Sequence, residues 1–86
     1  MNFKFKGEIV YMKMWIFEQI NCGEKLIVTE TNNGINLFIN DNLGVQKTST
    51  QWDKIDQMKN DGIIKYITTI RTFHSQPSEE MFKAKF

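Results

Sequence analysis

The sequence is most informative in what it lacks, because its 86 residues include one cysteine, one histidine, one proline and one arginine. A single cysteine, Cys22, excludes an internal disulfide framework and a cluster of thiolate metal ligands. A single histidine, His74, has no partner base or nucleophile near it in the sequence, and neither does Cys22. The sequence therefore predicts a protein that is not an enzyme and that uses no metal and no cofactor.

The chain is also close to neutral, and its apolar segments are short. The formal net charge is +1, which gives no long-range field of the kind that draws a protein onto duplex DNA or an anionic membrane. The apolar run that follows Lys6 is interrupted by Glu8 and Lys13, and a membrane span needs about 20 apolar residues. We therefore expect no signal peptide, no membrane association and a cytoplasmic location.

The composition indicates one folded domain, residues 1–86. Hydrophobic residues make up 41% and aromatic residues 13%, which is ordinary for a globular chain. The chain has ten lysines, eleven isoleucines and eight asparagines, residues that AT-rich codons encode. This bias suggests a low-GC bacterium, its phage or a mobile element as the source.

The segment Ile9–Phe17 has no polar side. If it is a strand, side chains alternate between two faces, and both faces are apolar. The even face is Val10, Met12, Met14 and Ile16; the odd face is Ile9, Tyr11, Lys13, Trp15 and Phe17. Aromatic and β-branched residues favour a strand within residues 3–20, whereas the spacing of isoleucines leaves a helix over residues 9–20 open.

The next segment predicts a β-hairpin. Two alternating runs, residues 26–31 and 35–40, flank Asn32-Asn33-Gly34, and Asn-Gly favours a tight hairpin turn. With Asn33-Gly34 as the loop, Val28 falls opposite Ile39. One face is then apolar (Leu26, Val28, Ile35, Leu37 and Ile39), and the other is polar apart from Ile27 and Phe38.

The remainder predicts a short strand and a helix. A turn at residues 41–44 leads into a polar strand at 45–48. Thr50 has the character of a helix N-cap, with Asp53 three residues later in a capping box. The helix runs from Gln51 to Asn60 and ends at Asp61-Gly62, with an apolar stripe of Trp52, Ile55 and Met58.

A final strand, Ile63–Phe73, is followed by a short helix that Ser78 begins. Strict alternation along the strand places Ile64, Tyr66 and Ile70 on one face and Ile63, Ile67 and Phe73 on the other. The predicted fold is α+β: an antiparallel sheet of about five strands with helix cover on one face, in the order β-β-β-β-α-β-α.

The surplus of apolar surface predicts protein–protein binding. One helix and a short tail are expected to cover one face of the sheet, so the odd face of the first strand would meet another chain. The expected contact residues are Tyr11, Lys13, Trp15 and Phe17, with Met12 and Met14 beside them. We expect a homodimer, or a host protein as the partner. The opposite interpretation places the odd face in the core, so the sequence leaves open which face is exposed.

Single-stranded DNA or RNA is the alternative partner, because such binders use aromatic rings and lysines on an exposed sheet face. The residues expected to contact it are Lys4, Lys6, Tyr11, Lys13, Trp15 and Phe38. The order of elements, several strands followed by a helix, resembles the positive-cofactor type of single-stranded DNA binder. The helix in question begins Thr50-Gln51-Trp52-Asp53-Lys54-Ile55. That resemblance covers about half of the chain, and the strand and helix after Gly62 depart from it, so the chain is not assigned to that family.

Overall fold

The computed structural model describes residues 12–73 and 76–86. These residues form five strands and two helices: β1 (Met12–Gln19), β2 (Lys25–Thr31), β3 (Gly34–Asp41), β4 (Gly44–Thr50), α1 (Trp52–Asn60), β5 (Ile64–Thr72) and α2 (Glu79–Lys83). The α+β class and the element order predicted from the sequence are confirmed.

The strands form one antiparallel sheet in the order β4-β3-β2-β1-β5. Short turns join β1 to β2, β2 to β3 and β3 to β4, and such turns connect antiparallel neighbours. Between β4 and β5, α1 carries the chain from one edge of the sheet to the other. As a result, β1 lies between β2 and β5 and is hydrogen-bonded on both sides.

Strand β1 is buried on both faces, as its sequence pattern predicts. Met14 and Ile16 are fully buried on one face, and Phe17 is 2% exposed on the other. The helical alternative for residues 9–20 is wrong over the part that the structure describes. The part of the expected strand before Met12 lies outside the described residues.

Helix α1 covers one face of the sheet. Its Ile55 is fully buried, and Trp52 and Met58 pack beside it. This first core cluster contains Phe17, Leu26, Val28, Ile35, Ile55 and Ile64. The predicted stripe on α1 and the predicted apolar face of the β2–β3 hairpin are therefore both confirmed.

Helix α2 covers the opposite face. Phe82 lies in a second core cluster with Met14, Ile16, Ile27 and Phe38. The two apolar exceptions in the hairpin pattern, Ile27 and Phe38, are therefore core residues with 0% and 2% exposure. The expectation of helix cover on one face only is wrong, because this short tail helix places an aromatic ring on the second face.

A β-bulge interrupts the pairing of β1 with β5. Ile16 and Phe17 are consecutive on β1, whereas their partners on β5, Thr68 and Tyr66, are two residues apart. Ile67 is therefore an extra residue on β5. A bulge of this kind shifts the alternation of side chains on the strand that contains it.

The bulge corrects the predicted faces of the last strand. Ile67 and Ile70 both pack against the second core cluster, whereas strict alternation placed Ile70 with Ile64 and Tyr66. Ile64 lies in the first core cluster. The prediction was wrong because the sequence of β5 carries no glycine or proline to indicate a bulge.

The β2–β3 hairpin has a different register from the predicted one. Val28 pairs with Leu37, not Ile39, and Thr31 pairs with Gly34. The loop is therefore Asn32-Asn33. Because the partner moves by two residues and the period of a strand is two, the face assignments stay as predicted.

The hydroxyl of Thr31 explains this loop. Its Oγ1 donates to the carbonyl oxygen of Gly34 at 3.1 Å and accepts from the backbone N–H of Asn33 at 3.3 Å. Gly34 is consequently the first residue of β3. The sequence favoured Asn33-Gly34 on turn preference alone, which does not include this side-chain contact.

Helix α1 begins one residue later than predicted. Its N-cap is Gln51, whose backbone is extended and whose side chain makes no capping hydrogen bond. Thr50 is still part of β4 and pairs with Ile35. The predicted cap at Thr50, with Asp53 closing a capping box, is therefore wrong because the ladder keeps Thr50 in the strand.

The C-terminus of α1 is at the predicted position. Gly62 has a φ of 74°, and its N–H donates to the carbonyl oxygen of Lys59 at 3.1 Å. The N–H of Ile63 donates to the carbonyl oxygen of Met58 at 2.9 Å. These two bonds form a Schellman motif, which satisfies carbonyls at the end of a helix and favours glycine at the left-handed position.

Candidate partner-binding surface

The expected contact residues on β1 separate between the two faces of the sheet. Lys13 is exposed and Trp15 is partly buried on the face that α1 covers, where Phe17 is buried in the core. Met14 is fully buried on the opposite face, and Met12 packs against the second core cluster there. Tyr11 lies outside the described residues. Of the described residues, Lys13 and Trp15 therefore remain accessible together on one face.

Trp15 contacts the other tryptophan of the chain. Its ring lies perpendicular to the ring of Trp52 at the start of α1, with centroids 4.8 Å apart and an interplanar angle of 83°. Edge-to-face pairs of this kind contribute about 0.5–1.5 kcal/mol beyond the area they bury. The contact therefore fixes both rings at the boundary between the sheet and the helix.

Two cations lie beside this pair. The Nζ of Lys13 is over the Trp15 ring, 5.3 Å from its centroid. Arg71 lies directly opposite Lys13 on β5, and both side chains are exposed. Within the described residues the one ion pair joins Lys65 to Glu18, with Nζ and Oε1 3.9 Å apart. Neither Lys13 nor Arg71 therefore has a carboxylate partner there.

Tyr66 extends the same face along β5. It is 51% exposed, and its ring packs edge-on against Phe17 with centroids 5.8 Å apart. Its hydroxyl is 2.7 Å from the hydroxyl of Thr69, which pairs with Trp15 across the sheet. Tyr66 is therefore held in a defined position while half of its surface remains accessible.

We call this surface the tryptophan face and define it by Lys13, Trp15, Trp52, Tyr66, Thr69 and Arg71. It contains both tryptophans of the chain, its single arginine and one of its two tyrosines. Tryptophan, tyrosine and arginine are the residues most enriched at the energetic centres of protein interfaces. Both tryptophans and the single arginine are therefore concentrated at one place in the fold.

The sequence did not indicate that Trp52, Tyr66 and Arg71 belong to this surface. Trp52 was assigned to the buried stripe of α1, which its partial burial also supports. Tyr66 and Arg71 join this surface through the pairing of β1 with β5, which have about half of the chain between them. The signal that was available is the scarcity of arginine and tryptophan.

The residues expected to contact nucleic acid do not form one surface. Phe38 is 2% exposed and lies on the opposite face of the sheet from Trp15. Lys4, Lys6 and Tyr11 lie outside the described residues. Of the described members of that set, Lys13 and Trp15 lie on the tryptophan face.

Cys22 lies apart from this surface. It is an exposed free thiol in the turn between β1 and β2. His74 lies outside the described residues. Over residues 12–73 and 76–86, no group of three or more His, Cys, Asp or Glu residues is placed to hold a metal ion. No helix in the described part of the chain is long and apolar enough to cross a membrane.

Comparison with known proteins supplies no relative for this chain. No protein-family model and no curated protein matches the sequence, and no solved structure matches the fold. The function of this chain is therefore inferred from the residues of the tryptophan face.

Proposed function

We propose that this protein is a small binding module that docks the tryptophan face against another protein. The observation that supports this proposal is the concentration of both tryptophans, Tyr66 and the single arginine on one accessible surface. Interfaces are enriched in these residue types relative to the rest of a protein surface. Trp15 and Trp52 are the proposed anchors, and Lys13, Tyr66 and Arg71 are the proposed contacts around them.

These side chains are held by strands and a helix, and such order before binding favours association. Lys13 and Trp15 lie on β1, an interior strand with hydrogen-bonded neighbours on both sides. Trp52 is packed against Trp15, and Tyr66 is packed against Phe17. Side chains that are already ordered lose little conformational entropy when a partner binds. The tryptophan face is therefore prepared for association before the partner arrives.

A protein partner agrees better with this geometry than single-stranded nucleic acid. The ammonium group of Lys13 lies over a face of Trp15, so a base that stacked there would have to displace it. The net charge of +1 provides little of the phosphate attraction on which nucleic-acid binding depends. We therefore keep nucleic acid as the alternative partner.

The partner that we propose is a cytoplasmic protein of the host cell, which follows from the codon bias toward a phage or mobile element. The homodimer expected from the sequence is a separate proposal. Light scattering at tens of micromolar, roughly the usual working concentration for a weak dimer, tests it directly. A monomer at that concentration would leave the host protein as the partner.

Affinity capture with matched variants tests the proposed function. Wild-type protein, Tyr66→Ala and Lys47→Ala are immobilised and exposed to lysate of the source cell, and the bound proteins are compared. Tyr66 is on the tryptophan face, whereas Lys47 is exposed on β4 at the far edge of the sheet. We expect a protein that wild type and Lys47→Ala retain and that Tyr66→Ala loses.

The proposal is contradicted if every retained protein binds the Tyr66 variant as well as the wild type. Folding of each variant is checked by circular dichroism before the comparison. Tyr66 is half exposed, so we expect its truncation to leave the fold intact.

A further inference from the structure

We infer that the partner is an acidic protein segment whose carboxylate is bound between Lys13 and Arg71. This inference rests on the proposed function, since it names the chemistry of the partner that docks on the tryptophan face. The evidence is a pair of like charges that face each other across two neighbouring strands and that form no ion pair within the described residues.

The two ends of the β1–β5 pairing differ in their charge. At one end Glu18 pairs with Lys65, and their side chains form an ion pair. At the other end Lys13 pairs with Arg71, and like charges directly opposite each other destabilise a sheet. A carboxylate placed between the two cations would offset their repulsion. The bound state would therefore gain an electrostatic attraction that the free protein lacks.

The surroundings of the two cations suit a carboxylate of a peptide. Arg71 offers a planar guanidinium that can bind both oxygens of a carboxylate. The cation–π contact with Trp15 holds the ammonium of Lys13 on the same face. Trp15 is two residues from Lys13 on β1 and contacts Trp52, and Tyr66 lies further along β5, opposite Phe17. We therefore expect an acidic residue to be flanked by apolar or aromatic residues in the bound segment.

Glu30 lies on the same face of the sheet as Lys13, on the neighbouring strand β2. The β1–β2 register pairs Met14 with Thr29 and Trp15 with Val28, so Glu30 lies one step beyond it, beside Lys13. Its carboxylate forms no ion pair with Lys13 or Arg71 within the described residues. Among those residues neither cation is therefore neutralised by an ion pair, and a partner can supply the carboxylate.

A second copy of this chain is a poor occupant of the site. In a two-fold symmetric dimer the same patch contacts itself, so an axis near Lys13 and Arg71 would bring four cations together. Like charges placed against each other cost association free energy. The charge of the face therefore favours a different, acidic protein.

Selection from a random peptide display library tests the inference. Wild type, Arg71→Glu and Lys47→Glu are used as separate baits, because the last two carry the same charge change at opposite edges of the sheet. We expect wild type and Lys47→Glu to enrich peptides that combine Asp or Glu with apolar residues. Arg71→Glu should bind those peptides at least roughly tenfold more weakly, as the loss of a charge-assisted contact predicts.

The other outcomes of this selection separate a failure of the acidic-partner inference from a failure of the proposed function. Peptides that bind in a Tyr66-dependent way but are not acidic, or that bind Arg71→Glu equally well, would overturn the acidic partner and leave the proposed function standing. Enrichment of no peptide that depends on Tyr66 would overturn both. Tighter, Arg71-dependent binding of an oligothymidylate probe than of any selected peptide would overturn the inference in favour of single-stranded nucleic acid.

Discussion

Lys13 and Arg71 lie directly opposite each other on β1 and β5, both exposed and on the face that carries Trp15. A cross-strand pair of cations costs stability, whereas opposite charges at the same positions stabilise a sheet. The retention of such a pair beside two tryptophans is typical of a surface whose charge serves binding, because binding surfaces are often not optimal for stability.

Arg71→Glu should therefore stabilise the free protein. The substitution converts a repulsive pair into an attractive one, and we expect the free energy of unfolding to rise by about 0.5–1 kcal/mol. Urea denaturation at low salt measures this, and the gain should shrink as salt screens the charges. Lys47→Glu is the control and should change stability by less than about 0.5 kcal/mol. A loss of stability in Arg71→Glu would show that the guanidinium has a structural role.

Trp15 and Trp52 should be energetically coupled, because their rings are in edge-to-face contact. A double-mutant cycle with Trp15→Ala, Trp52→Ala and the double variant should give a coupling free energy of about 0.5–1.5 kcal/mol. Thermal or urea unfolding of the four proteins provides the values. Additive effects within error would mean that the contact does not stabilise the tryptophan face.

Phe82→Ala tests whether α2 covers the second face of the sheet. Phe82 is 9% exposed and lies in the second core cluster, so its truncation should cost about 3 kcal/mol. That is a large share of the stability of a small domain. Phe86→Ala is the matched control, because Phe86 is 48% exposed and should cost less than about 1 kcal/mol. Equal losses in the two variants would contradict the packing of α2.

Gly62→Ala tests the Schellman motif at the end of α1. A Cβ at this position would meet no atom within 4 Å, so steric clash with neighbours does not contribute. The cost should come from the positive φ alone and be about 1 kcal/mol in the free energy of unfolding. Gly62→Asn should lose less, because asparagine tolerates the left-handed conformation better. Equal stability of wild type and Gly62→Ala would contradict the cap.

The fold was largely predictable from the sequence because its signals are local. The Asn32-Asn33-Gly34 turn, the stripe on α1 and the stop at Gly62 each depend on a few consecutive residues. The local contact of the Thr31 hydroxyl changed the loop of that turn, and two further errors occurred where tertiary contacts decide. The bulge at Ile67 arises only when β5 pairs with β1, and the cover by Phe82 arises only when the tail packs on the sheet.

The candidate surface was less predictable for the same reason. Lys13 and Trp15 were selected from one strand, whereas Arg71 and Tyr66 join them through the pairing of β1 with β5 and the packing of Phe17. Residues such as Met14 have the same apolar character in the sequence as Trp15 but are fully buried. Burial is set by the arrangement of the whole chain, which a local pattern does not specify.

Hydroxyl-radical footprinting of the protein with its captured partner locates the binding surface, since tryptophan and tyrosine side chains report their own accessibility. If the tryptophan face is that surface, the partner lowers oxidation of Trp15, Trp52 and Tyr66. Oxidation of Leu43 and Phe86, which are exposed elsewhere at 85% and 48%, should not change. Protection of Leu43 or Phe86 with no protection of the two tryptophans would contradict the tryptophan face as the site of binding.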